Sequence, residues 1–255
     1  MFLSLSVEEA DALRTSAYTL AEDSKDELFH AALYNCLLDR QMATQLLSLR
    51  TPYIEAYLGS DPLTLEKCEL LWQYHVKNGN YFSAAQVLSG LAQSDELELS
   101  LFQRVEYLSL AVSNAKSAGA ALSADQNLVA VLTDIEEKLE VAQVQVELYR
   151  AISELSDLDD QQKNDLLSAL DSMLLDISSL YRDFAAPLEL YDAMIMIFHV
   201  SDHQDADLVK ETWRAFLDFA HNSAAGAQKH EAVAASIIDL GRRFFPSEAA
   251  CPIGE

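Results

Sequence analysis

Apolar residues along this chain recur at spacings of three and four, the period of a helix with one buried face. After Ser100 the stripe runs Leu101, Val105, Leu108, Val112 and Ala115. After Ser123 it runs Leu128, Leu132, Ile135, Leu139, Ala142, Val146 and Tyr149, a seam resembling a heptad. The helices flanking that seam are short, so one long helix packed among neighbours fits it better than a coiled-coil rod. No run of Val, Ile and Thr alternates with polar residues, so no half-buried strand is predicted. The pattern predicts helices near 7–21, 25–39, 41–49, 52–58, 63–78, 81–93, 100–117, 124–154, 160–184, 188–200, 205–221 and 227–243.

Local signals mark many of the boundaries. Ser24 with Glu27, Ser100 with Gln103 and Ser123 with Gln126 each have the spacing of a capping box, in which side chains satisfy the first orphan N–H groups of a helix. Pro52, Pro62 and Pro187 each stand where a helical pattern opens, a place where the missing N–H is harmless. Residues 70–92, LLWQYHVKNGNYFSAAQVLSGLA, read as a helix, a tight turn at Lys77-Asn78-Gly79-Asn80 and a second helix folding back. Tyr74, Gly79, Tyr81 and Ala84 give this hairpin a local likeness to a tetratricopeptide unit, but that repeat's period of about 34 residues does not recur. Connections of about two to six residues make successive helices antiparallel neighbours. The expected fold is all-α, an irregular α-solenoid of stacked antiparallel hairpins, with 1–255 as a single solenoid fragment.

Charge narrows the partners. The 41 acidic and 17 basic residues give a net charge of −24. DNA, RNA and anionic lipid are repelled by such a surface, while a basic peptide is steered towards it. Residues 154–176 hold Glu154, Asp157, Asp159, Asp160, Asp165, Asp171 and Asp176 against Lys163, which reads either as a solvated face or as a docking face for a basic segment. Cys36, Cys68 and Cys251 form no disulfide framework and no CxxC pair. The first two sit in apolar helical stretches and are expected to be small core residues in a reducing compartment. Met1–Ser6 is too short for a signal peptide, and no stretch is apolar for long enough to span a membrane.

Candidate chemistry is sparse. None of the seven glycines lies two residues from another, so no phosphate-binding glycine loop occurs. Cys68 and His75 stand two turns apart, about 10 Å, too far for an activated thiolate pair. His199 and His203, with Asp202 or Asp205, have the spacing of a metal site on one helix face. A helix boundary at Ser201-Asp202 would break that geometry. No catalytic residue, metal or cofactor is expected, and the protein is not expected to be an enzyme. The richest candidate is apolar. Residues 188–200, LELYDAMIMIFHV, end in a run that is apolar all round, where a one-sided helix needs a single stripe. That surplus is either buried on both sides or floors a groove. Met194, Met196 and Phe198, with Trp213, Phe216 and Phe219 of the next helix, are the candidate peptide-binding residues.

An ordered series of blocks is similar to a known family. These are DELFHAALYNCLLDR (26–40), LLSLRTPYIEAYL (46–58), LEKCELLWQYHVKNGNYFSAAQVLSGLA (65–92), LSLFQRVEYLSLAVSNAKSA (99–118) and FAAPLELYDAMIMIFHVSDHQDADLVKETWRAFL (184–217). They resemble the C-terminal α-solenoid of the large inner-ring scaffold nucleoporins, the nucleoporin 155/170 family. Members are longer and begin with a β-propeller, so the resemblance implies an internal fragment. It implies a structural part of the nuclear pore complex inner ring, at the nuclear envelope, that supports nucleocytoplasmic transport. The implied partners are other inner-ring nucleoporins and a short segment of a linker nucleoporin of the nucleoporin 98 class, expected to carry basic residues beside its apolar anchors. No direct nucleic-acid binding or membrane insertion is implied. An α-solenoid adaptor or coat component of vesicle trafficking fits composition and periodicity equally well.

Overall fold

The hairpin at 70–92 forms as its sequence suggests. Its first helix ends at Lys77, and Gly79 takes the left-handed backbone (φ 74°) that lets the chain reverse. Asn80 N–H donates to the His75 carbonyl at 2.8 Å and Gly79 N–H to the Val76 carbonyl at 3.0 Å, satisfying the last carbonyls of the helix. The computed structural model describes residues 16, 19, 23–60, 62, 64–121, 126–156, 158–222 and 228–244. Among them every regular element is helical and there is no strand. The chain divides into two compact units, Met1–Leu91 with Leu110–Leu132, and Ala92–Ser109 with Thr133–Glu255.

The first unit contains α1 (Glu27–Asp39), α2 (Ala43–Leu46), α3 (Ile54–Leu58), α4 (Leu65–Lys77) and most of α5 (Tyr81–Gln93). Tyr34, Leu37, Leu46, Leu49, Ile54, Leu58, Leu70 and Tyr74 form its core. Burying a Leu or Ile side chain fully contributes about 1.5–3 kcal/mol. Two buried polar side chains are paired here: the Tyr34 hydroxyl bridges His30 and Thr51, and the His30 ring bonds the Ser24 carbonyl at 2.9 Å. Asp26, rather than Ser24, caps α1, accepting from the Leu28 and Phe29 N–H groups. The Ser24–Glu27 capping box is therefore corrected. Ser24 instead accepts from Asp26 N–H and shapes the approach to the cap. Cys68 is buried as expected, but Cys36 is exposed, because its position falls between Tyr34 and Leu37 on the outer side of the apolar stripe.

The second unit is built on parts of two long helices, α6 (Leu101–Ala121) and α7 (Gln126–Glu154), followed by α8 (Asp160–Ser172), α9 (Ile177–Ser179), a π-helical segment Leu180–Ala185, α10 (Tyr191–Val200), α11 (Ala206–Asn222) and α12 (Lys229–Phe244). The Ser100–Gln103 capping box is present, with Gln103 N–H donating to Ser100 Oγ and Ser100 N–H to Gln103 Oε1. The apolar stripe of α7 faces inward as its spacing requires, with Leu128, Ile135, Ala142 and Val146 buried.

The single helix expected over 160–184 is interrupted at 173–176. Helix α8 stops at Ser172, and Met173 is extended (φ −154°, ψ 166°). The loose ends at the break are captured by remote side chains. Gln145 donates to the Leu170 and Met173 carbonyls and accepts from Leu175 N–H. Arg104 donates to the Ser172 carbonyl at 2.9 Å. Asp176 then caps the restart, accepting from Ser178 and Ser179 N–H. Pro187 also differs from expectation. It lies in the turn 186–189, and with Glu189 left-handed (φ 52°) the helix begins at Tyr191 rather than 188. The helix expected near 7–21, apart from Ser16 and Thr19, and the Ser123 cap lie outside the described residues.

Candidate functional site

Helix α10 is apolar all round because it is enclosed. Ala193 to Phe198 are all buried, packed with Val144, Leu148 and Ile152 of α7, Leu180 and Phe184 of the π segment and Phe216 of α11 in one core. The helix starts without a side-chain cap, its first turn closed by Met194 N–H donating to the Leu190 carbonyl. It ends at Ser201, where Asp202 turns left-handed (φ 47°) and His203 N–H donates to the Phe198 carbonyl at 3.0 Å.

The six candidate residues separate into two groups. Met194, Met196, Phe198 and Phe216 are buried. Trp213 is half-buried and meets Phe216 edge to face with ring centres 5.8 Å apart. Phe219 is 66% exposed. Its ring lies 6.4 Å from that of Tyr191, and with Leu190, Phe216 and Leu240 it lines an opening of about 400 Å³. Phe198 and Trp213 border a second opening of about 310 Å³, and Met196 a third of about 520 Å³. An exposed aromatic over an apolar recess is the feature here that can take up a partner's side chain.

Charge around the Phe219 opening is organised by Arg243. It donates to Asp192 at 2.8 Å and to Asp239 at 2.7 Å, with Glu147 at 3.8 Å. Burial disfavours its charge, but the carboxylates of Asp192 and Asp239 outweigh this and hold the guanidinium above its ordinary range. Glu189, Asp192 and Asp239 all border the opening, so its rim carries more acid than base.

Residues suspected of chemistry are held in other ways. The boundary at Ser201-Asp202 takes His203 off the helix, and its ring stacks on Phe198 at 4.9 Å. Among the described residues no group of three or more His, Cys, Asp or Glu is placed to hold a metal. Burial pushes the Cys68 thiol up, away from the thiolate. Three acids of the 154–176 stretch are caps: Asp159 on α8, Asp176 on α9 and Asp171 on Leu101 N–H of α6 at 2.8 Å. Sequence reasoning missed Arg104 and Gln145. Arg104 is fully buried, donating to the carbonyls of Ala92, Ser94, Leu99 and Ser172. Their signal was a charged or amide residue placed on the inward face of an apolar stripe.

This all-helical architecture is of the α-solenoid class. A family model described as the C-terminal part of the non-repetitive/WGA-negative nucleoporins matches residues 3–255, and the chain belongs to that family. It is similar to nucleoporin NUP170 of Saccharomyces cerevisiae, 28% identical over 99% of this chain and 17% of that protein. It is 32% identical to nuclear pore complex protein Nup154 of Drosophila melanogaster over 74% of this chain and 14% of that protein. Among solved structures it is similar to the Chaetomium thermophilum Nup170 C-terminal domain in complex with Nup145N. The TM-score is 0.82 at 25% identity, covering 93% of this chain and 49% of the other. The chain spans between 14 and 19% of the length of the curated relatives it matches. Its relatives are nucleoporins of the nuclear pore complex.

Proposed function

We propose that this chain is one continuous piece of a longer inner-ring scaffold, and that it holds a short segment of a linker nucleoporin of the nucleoporin 98 class. The observation that carries this reading is the solved complex of the similar Chaetomium thermophilum Nup170 C-terminal domain with Nup145N. On this chain the exposed Phe219 and the recess beside it, backed by Phe216, support binding at that place. Met194, Met196, Phe198 and Trp213 form the packed layer that keeps Phe216 in position. An apolar anchor of the linker enters the recess, and flanking Lys or Arg meets Glu189, Asp192 and Asp239. Other inner-ring nucleoporins contact the remaining surface, and the assembly supports nucleocytoplasmic transport.

The test uses Phe219→Glu, because an exposed side chain can be charged with little effect on the fold. Affinity for a labelled linker segment is expected to fall by about tenfold or more, with an unchanged melting temperature. Unchanged affinity would move the site away from Phe219. Absence of binding to the unaltered chain would overturn the linker reading itself.

A further inference from the structure

The break after Ser172 leaves a second recess. Residues 173–177 and α7 line an opening of about 560 Å³. Its floor is apolar, with Val141 and Leu175 half-buried and Ala142 buried. Met173 stands at its edge, 41% exposed. Asp95, Asp134, Glu137 and Asp176 line the rim and are all exposed. Lys138 is the one base among the lining residues, and its ammonium already donates to Asp134 at 2.8 Å. The recess is preformed, because Gln145 fixes Met173 and Leu175 through their own backbone groups. Little ordering is then lost when something binds.

We propose that this recess docks a segment of another protein in which one large apolar side chain is flanked by Lys or Arg. The apolar floor removes that side chain from water, and the excess of carboxylates over Lys138 at the rim chooses its neighbours. An acidic segment or a nucleic acid meets like charge there. The site shares no residue with the Phe219 opening and stands without the linker reading.

The 255-residue chain is titrated, by fluorescence anisotropy, with three short synthetic peptides. One carries Leu flanked by Arg, one has Glu in place of Arg, and one has Ser in place of Leu. Saturable binding is expected for the first alone, weakening as salt rises. Glu137→Lys with Asp134→Lys is expected to weaken it about tenfold, Met173→Ser to weaken it too, and Phe219→Glu to leave it unchanged. No saturable binding, or equal binding of the Glu or Ser peptide, overturns the proposal. So does unchanged affinity in the double Lys variant when its melting temperature is normal. Loss of binding on Phe219→Glu alone assigns the peptide to the other opening and also overturns it. Should the double Lys variant melt early, Met173→Ser against Phe219→Glu decides, since both side chains are exposed: equal affinity of Met173→Ser and the unaltered chain overturns the proposal.

Discussion

The reversal at 77–80 and the break at 172–177 both interrupt helices, and they are held in opposite ways. The first is local: Asn78, Gly79 and Asn80 close on carbonyls of their own helix, and the Asn78 amide donates to the Tyr74 carbonyl at 2.9 Å. The second is remote: its carbonyls are taken by Arg104, 68 residues away, and by Gln145, as far as 28. A turn made from its own residues can form before anything else is in place. A break satisfied by buried side chains from other helices exists only when the core exists, and it fastens that core in return.

Trp72 and Trp213, the chain's two tryptophans, lie one in each unit, so single-tryptophan variants report the two regions separately during urea unfolding. Arg104→Met is expected to have the largest effect, a loss of about 3–5 kcal/mol seen at Trp213, because four carbonyls lose their donor. Arg104→Lys should not restore it, since an ammonium lacks the planar fork that reaches several acceptors. A loss below about 1 kcal/mol would break the contrast between the two turns. Gln145→Leu keeps the apolar bulk but strands two carbonyls and Leu175 N–H. About 2–3 kcal/mol should be lost at Trp213, with faster hydrogen exchange at Leu175.

Gly79→Ala is expected to cost about 1 kcal/mol, seen at Trp72. The cause is its backbone alone, because no atom lies within 4 Å of an added Cβ. The smallest effect concerns pH. Burial lowers the pKa of His75, against the opposing pull of Glu55 at 3.8 Å, and its Nδ1 has no hydrogen-bond partner. The unfolded chain therefore takes up this proton first, at about pH 6.5. Stability of the first unit should be full above that value and decline as pH falls through it towards the folded pKa. His75→Gln should flatten the decline at Trp72, and an unchanged slope would assign it to other groups.

The same contrast explains what could be read in advance. Gly79 between two asparagines, and Gln103 three residues after Ser100, act within a turn of where they stand, so their spacing carries their meaning. Residues 172–176, Ser-Met-Leu-Leu-Asp, contain good helix formers and show no breaker. Only Asp176 ahead of Ser178 and Ser179 hinted at a new cap. The binding candidates show this too. The surplus of apolar residues in α10 was visible, but only packing distinguishes Phe216, which is buried, from Phe219, three residues on and exposed.

Alone, the sequence determined that the chain is helical, where most helices begin, which stripes face inward, that the surface is strongly acidic and which family of pore scaffolds the ordered blocks resemble. These follow from period, composition and contacts within a few residues. The tertiary structure decided where α8 stops, why a charged Arg104 can be buried, which acids are caps and which remain free to meet a partner, and which aromatic is left open to solvent. Each of these depends on groups brought together from distant parts of the chain, where the balance between desolvation and new hydrogen bonds is set by the packing and not by any local pattern.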